Sequence, residues 1–207
     1  FGVTEEMFCI SINHKNTPAD VRERFAFTTK GQRQFTERLK AEVGGCVVLS
    51  TCNRMEIYFT DKYEQVEMLL ANDRDVPVSL IRRYSMNYEG FQCMLHLCRV
   101  ACGMDSMVLG EVEIIHQVKS AYLVAKKLRA CDGELNIAFQ GALAAAKAVA
   151  TESDATRLPV SVGTLSAREA VNFTRNGGIE NTCRDIRSDV VSSSQVESVD
   201  AEKANTG

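Results

Sequence analysis

The stretch Cys46-Val47-Val48-Leu49-Ser50-Thr51-Cys52-Asn53-Arg54-Met55-Glu56-Ile57-Tyr58 decides how this chain folds. Its first four residues form an unbroken apolar run, which reads as a buried strand. Thr51-Cys52-Asn53 reads as a turn, and a second strand is predicted over residues 56–60. A strand that ends in polar residues delivers its last side chains to the rim of a core, where a rigid element can aim them at a ligand. Cys52 is thereby a candidate site residue, with Thr51 and Arg54 beside it.

The chemistry of that site follows from the residue types. The thiolate is the reactive form of cysteine, and a nearby cation such as Arg54 favours it over the thiol, whose ordinary pKa is about 8.5. Arg54 has a second use, because a guanidinium forks onto a carboxylate with matched geometry. Both roles suit an enzyme that handles an acidic acyl group. The alternative is that Cys52, one of eight cysteines, is a small buried hydrophobe like most free cysteines.

Working outward, residues 7–13 alternate as a strand, and Thr17-Pro18-Ala19-Asp20 breaks it and opens a helix through Phe25. A second helix is predicted over 30–42, ending at Gly44-Gly45, and helical spacing returns over 64–71. The order β-α-α-β-β-α implies an α+β fold with helices on one face of a small sheet. From Tyr88 onward the pattern is helical, with segments over 90–102, 111–128 and 135–151 and a last short one over 161–173. Beyond Asn176-Gly177-Gly178 the chain has no aromatic residue. Too little apolar surface remains there to offset ordering entropy, so 179–207 is expected to be a disordered tail.

Composition excludes several classes. The 207 residues are 45% hydrophobic and 25% charged, which is ordinary for a soluble globular protein. No run of about 18 apolar residues occurs to span a membrane. The start at Phe1 carries neither a basic lead nor a long apolar stretch and reads as a trimmed or processed product without a signal peptide. The helical, apolar segments build a core without disulfides, so the thiols are expected to be reduced and the chain cytoplasmic, with the plastid stroma as the alternative. Net charge is −3, and residues 179–207 carry six acids against three bases. A balanced body argues against broad non-specific nucleic-acid binding. Local pairs such as Arg82-Arg83 and Lys126-Lys127 read as solvated helix faces.

Cys93, His96, Cys98 and Cys102 resemble metal ligands until their helical phase is considered. Each residue turns by about 100°, so Cys93 and His96 face one side and Cys98 and Cys102 the other. Four ligands on two faces do not close on one zinc. His96 is left as a candidate general acid or base or, alternatively, a packed core histidine; His14 and His116 read as packed. In Gly103-Met104-Asp105-Ser106-Met107-Val108-Leu109-Gly110-Glu111, two glycines bracket an apolar stretch with two acids. That pattern fits a ligand-facing loop and a tight helix connection equally well.

Together these motifs resemble the glutamyl-tRNA reductases, which begin tetrapyrrole synthesis, the route to heme and chlorophyll, from glutamate. The likeness is carried by Ser11-Ile12-Asn13-His14-Lys15 with Thr17-Pro18 and Val21-Arg22-Glu23, by Leu49 through Tyr58, by His96 through Glu111, and by Gln117-Val118-Lys119. The resemblance implies a ferredoxin-like α+β sheet with an added helical part. It implies that Cys52 attacks the ester of glutamyl-tRNA to give a thioester, which NADPH reduces to glutamate-1-semialdehyde. It further implies that Thr51, Arg54, Ser106 and Glu111 bind substrate and that His96 assists acid–base chemistry. By the same likeness the cofactor is NADPH without a metal, and the partners are glutamyl-tRNA, glutamate-1-semialdehyde aminomutase and a second copy of the chain.

The likeness divides the chain into a catalytic-type domain over 1–152 (α+β part about 7–85, helical part about 88–152), a linker and domain start over 153–178, and the tail. Glu113 stands where the family usually has an amide, a small residue is usual at His116, and Ala148 and Ala150 replace arginines. No Gly-x-Gly-x-x-Gly follows a strand, so neither the dinucleotide-binding domain nor the dimer helix of the family is expected in this chain. Two readings result. One is a domain that forms the thioester and releases glutamate only slowly by hydrolysis. The other is a non-catalytic homologue acting as a tRNA- or protein-binding module.

Overall fold

The computed structural model describes residues 7–106 and 113–156, with side chains through Thr151. In chain order the elements are β1 (Phe8–Asn13), α1 (Ala19–Glu23), α2 (Thr29–Val43), β2 (Cys46–Ser50), β3 (Arg54–Phe59), α3 (Tyr63–Arg74), α4 (Val78–Tyr84), β4 (Met86–Glu89), α5 (Gly90–Ala101), α6 (Glu113–Lys127) and α7 (Gly133–Thr156). The strands form one antiparallel sheet in the order β2-β3-β1-β4. With α2 crossing from β1 to β2 and α3 and α4 from β3 to β4, this is the ferredoxin-like arrangement, and the fold class is α+β.

Local chemistry sets the element ends. Thr28 caps α2 by accepting the Gly31 N–H at 3.1 Å. Gly44 closes it at φ +82°, a conformation that side chains other than glycine's resist. Gly45 is required for a different reason. A Cβ there would overlap the Asp132 carboxylate, which accepts from Thr60 Oγ1 at 2.6 Å and from the Leu135 N–H at 2.8 Å in the first turn of α7.

Alternation sorts the sheet into two unlike faces. Phe8, Ile10 and Ile12 of β1 and Met55, Ile57 and Phe59 of β3 lie on one face, which meets α2 and α3. Phe8 and Phe59 stack at 5.6 Å beside Tyr63 of α3, and Gln32 of α2 donates to the Val48 carbonyl at 2.6 Å. The opposite face carries Cys9, Ser11 and Asn13, paired in register with Tyr58, Glu56 and Arg54. It lies under the helical part: His96 of α5 bonds Glu56, and Phe139 of α7 meets Tyr58 edge-on at 5.3 Å. Helices on one face describe only half of the arrangement. The helical part closes the other, which is why every residue of β3 is buried.

Two elements were not expected. The helix α4 holds a single buried residue, Ile81, and β4 is a four-residue edge strand. Segments this short carry too little periodicity to register in sequence. Strand β3 begins at Arg54 rather than at Glu56, and that two-residue difference turns Arg54 into the sheet. The predicted helix over 161–173, the domain start over 153–178 and the tail fall outside the fully described residues. Among those described, no helix is long and apolar enough to cross a membrane.

Candidate active site

Cys52 stands at the middle of the three-residue loop between β2 and β3. Thr51 organises the loop: its Oγ1 accepts the Asn53 and Arg54 N–H groups, both at 3.2 Å, while its own N–H donates to the Arg54 carbonyl at 2.8 Å. Each neighbouring segment then fastens to it. The His14 N–H donates to the Asn53 carbonyl at 3.0 Å, Arg22 Nε to the Cys52 carbonyl at 3.4 Å, and the Phe27 N–H to Ser50 Oγ at 3.1 Å. Among the described cysteines Cys52 is the exposed one, so the reading of it as a buried hydrophobe does not hold. Burial pushes the Cys46 and Cys98 thiols up to about 12, and Cys131 up to about 11.

Behind this loop lies a buried ion network centred on Glu56, which has no exposed surface. Its Oε1 accepts from Ser11 Oγ at 2.8 Å and Arg54 Nη1 at 3.0 Å and faces His96 Nε2 at 2.9 Å, while its Oε2 accepts from the Tyr58 hydroxyl at 2.7 Å. Burial pushes this carboxyl up, but His96, Arg54 and Tyr58 outweigh burial and hold it at about 2. On its other side His96 Nδ1 faces Asp105 Oδ2 at 3.4 Å, and Asp105 takes Lys15 Nζ at 2.5 Å. Burial works against charge on His96, yet Glu56 and then Asp105 raise its pKa. An imidazole whose two nitrogens both face carboxylates donates from both only as imidazolium. Tyr88 stacks on the ring at 4.0 Å.

Arg54 completes the network. It is 2% exposed, and its Nη2 donates to the Asp105 carbonyl, so both terminal nitrogens already have partners inside the protein. Burial opposes its charge, and Glu56 foremost restores it. The structure therefore brings Thr51, Cys52, Arg54, His96 and the Asp105-Ser106 turn into one region, with Cys52 exposed and Arg54 and His96 buried. Ser106 is half-buried, its N–H on the Gly103 carbonyl at 3.3 Å. Glu111 lies outside the described residues. Glu113 and His116 are exposed on α6, where His116 helps line a groove of about 300 Å³ with Lys119 and Lys127.

Glu56, Asp105, Ser11, Lys15 and Tyr88 were given no role from sequence. Polar residues at every second position of two otherwise apolar strands, Ser11-x-Asn13 and Arg54-x-Glu56, were the signal that they share one face. Cys9, Glu56 and His96 place donor atoms within 4.8 Å of one another. Those Glu56 oxygens are already hydrogen-bonded, and a metal dication there would face the Arg54 guanidinium. The cluster fits an ion network better than a metal cradle.

Fold and site together define a ferredoxin-like domain that presents a braced surface thiol over a buried carboxylate–imidazole–guanidinium network. The family profile described as "Glutamyl-tRNAGlu reductase, N-terminal domain" matches residues 10–153. The glutamyl-tRNA reductase of Carboxydothermus hydrogenoformans is 36% identical over 171 residues, which cover 79% of this chain and 38% of that protein. The one from Akkermansia muciniphila is 37% identical over 171 residues, covering 79% and 50%. A solved glutamyl-tRNA reductase from Methanopyrus kandleri superimposes with a TM-score of 0.58 at 25% identity, over 82% of this chain and 47% of that one. The chain belongs to the glutamyl-tRNA reductase family, an oxidoreductase family of tetrapyrrole biosynthesis, and corresponds to its amino-terminal domain. It spans between about a third and a half of the length of these relatives.

Proposed function

We propose that this domain performs the first half of glutamyl-tRNA reduction, transfer of the glutamyl group from the tRNA 3′ end to Cys52. The exposure of Cys52 in a loop braced from three sides, by His14, Arg22 and Phe27, carries this reading. The Cys52 sulfur forms a bond to the acyl carbon, the bond from that carbon to the 3′ oxygen breaks, and the tRNA leaves with a hydroxyl after taking one proton. A thioester carbonyl is less stabilised than an ester and accepts hydride more readily, so this exchange prepares the group for reduction. When bound, NADPH would supply that hydride.

Each residue has a part that matches its position. Thr51 retains a hydroxyl proton to donate while its oxygen holds the loop, and Ser106 offers a second hydroxyl at the Asp105 turn. Arg54 and His96 act from behind the thiol as fixed positive charge, paired with Glu56 and Asp105, rather than by handing over protons. The test is acyl transfer: incubate the chain with tRNA carrying labelled glutamate, quench in acid and map hydroxylamine-sensitive label. Label on Cys52, absent from Cys52→Ser, supports the reading. Folded protein that stays unlabelled while Cys52 still alkylates would leave a binding module instead.

A further inference from the structure

Asp105 lies in the turn that follows α5, one residue before Ser106, and three separate parts of the chain meet on it. Its Oδ1 takes Lys15 Nζ, from the turn after β1, at 2.5 Å, and its Oδ2 faces His96 Nδ1 of α5 at 3.4 Å. Its main-chain carbonyl accepts Arg54 Nη2 from β3. Burial pushes the carboxyl up, but His96 and Lys15 outweigh burial and hold it well below the ordinary carboxylate range. Asp105 therefore stays charged and keeps both cationic partners.

The turn is built in two stages. Gly103, at φ +73°, ends α5: its N–H reaches the Val100 carbonyl at 3.0 Å and the Met104 N–H reaches the Arg99 carbonyl at 3.0 Å, the paired bonds that a left-handed glycine allows at a helix end. These bonds set the direction in which the chain leaves the helix. Asp105 then fastens the departing chain to the sheet side of the site. Lys15 follows His14, whose N–H holds the Asn53 carbonyl at 3.0 Å, and Arg54 is bonded to Thr51 through both its N–H and its carbonyl. Two of the attachments of the Cys52 loop thus lead on to one acidic residue.

We infer that Asp105 is a positioning residue for glutamyl transfer, holding the Ser106 turn in alignment with the Cys52 loop so that the thiol and the Ser106 hydroxyl bear on the same acyl group. This rests on the function proposed above. Asp105 acts through Lys15, Arg54 and Ser106 rather than on the substrate. A carboxylate suits that task, because it only accepts and its two oxygens meet two cations on different elements. An amide in its place would turn its NH2 toward Lys15 or His96, both of them donors. One side of the brace would then open. Misplacement by about 1 Å costs about 100-fold in rate, so even a small opening registers in the transfer step.

The test has two arms, run in the full chain on wild type, Asp105→Asn, Asp105→Glu and Glu67→Gln. Glu67→Gln weakens another buried carboxylate, paired with Arg82 at 2.7 Å, and controls for lost stability alone. The first arm is amide hydrogen exchange without tRNA. In Asp105→Asn the Ser106 and His14 amides should exchange together, about tenfold faster, while Glu67→Gln leaves both near wild type. The second arm is single-turnover transfer of labelled glutamate from tRNA to Cys52. In Asp105→Asn the maximal rate should fall by about 100-fold, with the half-saturating tRNA concentration and the iodoacetamide reactivity of Cys52 kept. Asp105→Glu, which retains the charge, should recover part of that rate. Unchanged exchange at Ser106 and His14, a maximal rate that Asp105→Asn leaves intact, or a loss that Glu67→Gln matches overturns the inference. Wild-type protein that takes no label defeats acyl transfer itself, and the exchange arm still decides whether Asp105 joins the turn to the loop.

Discussion

Glu56 of β3 and His96 of α5, forty residues apart, meet through Oε1 and Nε2 at 2.9 Å with neither side chain more than 3% exposed. This pair ties the sheet to the helical part. It also neutralises a carboxylate that burial alone would keep protonated.

Removing the acid alone should be severe. Glu56→Ala leaves Arg54 and His96 buried beside an empty space, and breaking a buried pair from one side costs about 3–5 kcal/mol. Urea unfolding should show a loss of that order. Glu56→Gln, which keeps a hydrogen-bond acceptor, should lose less and should lower the His96 pKa, read by NMR.

Stability should fall on both sides of neutrality, for opposite reasons. The folded-state pKa of Glu56 is depressed to about 2. Its contribution, about 3 kcal/mol from the size of the shift, is present above the ordinary value near 4.5 and is lost as pH falls toward 2. The His96 pKa is raised. Its contribution is complete below the ordinary 6.5 and is lost as pH rises through the folded value. Denaturation midpoints measured from pH 2 to 9 should trace a dome, and in His96→Gln the alkaline limb should flatten and the acid limb should weaken as well, because His96 is the foremost group that holds the Glu56 carboxyl down.

Thiol reactivity should be sharply divided. At pH 8 in the native state, alkylation should reach Cys52 first. Cys46 and Cys98, which burial raises to about 12, should react only on unfolding. Peptide mapping over a time course checks the order, and early modification of Cys98 would contradict the packing of α5.

Gly45→Ala should unfold the protein at lower denaturant. The added methyl overlaps the Asp132 carboxylate, which must turn away from Thr60 and from the first turn of α7. Loss of such a cap costs about 0.5–2 kcal/mol, and Asp132→Asn tests whether the cap rather than the charge carries the effect.

Much of this architecture is readable in the chain. The apolar run at Cys46, the diglycine stop after α2 and the 3.6-residue spacing of α5 to α7 each announce an element through strong local signals. The short α4 and β4 do not, because an edge strand of four residues takes its stability from pairing with β1 rather than from its own pattern. The thiol and its loop were also legible. The depth of Arg54 was not. Beside a turn, an arginine reads as a rim residue, and only the pairing of β1 with β3 and the placing of α5 over them reveal the carboxylates that let it be buried.

The same face has a consequence for strand alignment. Cys9, Ser11 and Asn13 lie opposite Tyr58, Glu56 and Arg54, and a slip of one residue would set Ile10 and Ile12 against the carboxylate instead. An apolar sheet tolerates several alignments at similar energy. Here a shifted β1 would strand a buried charge, so the acid that anchors the buried network also proofreads the assembly of the sheet.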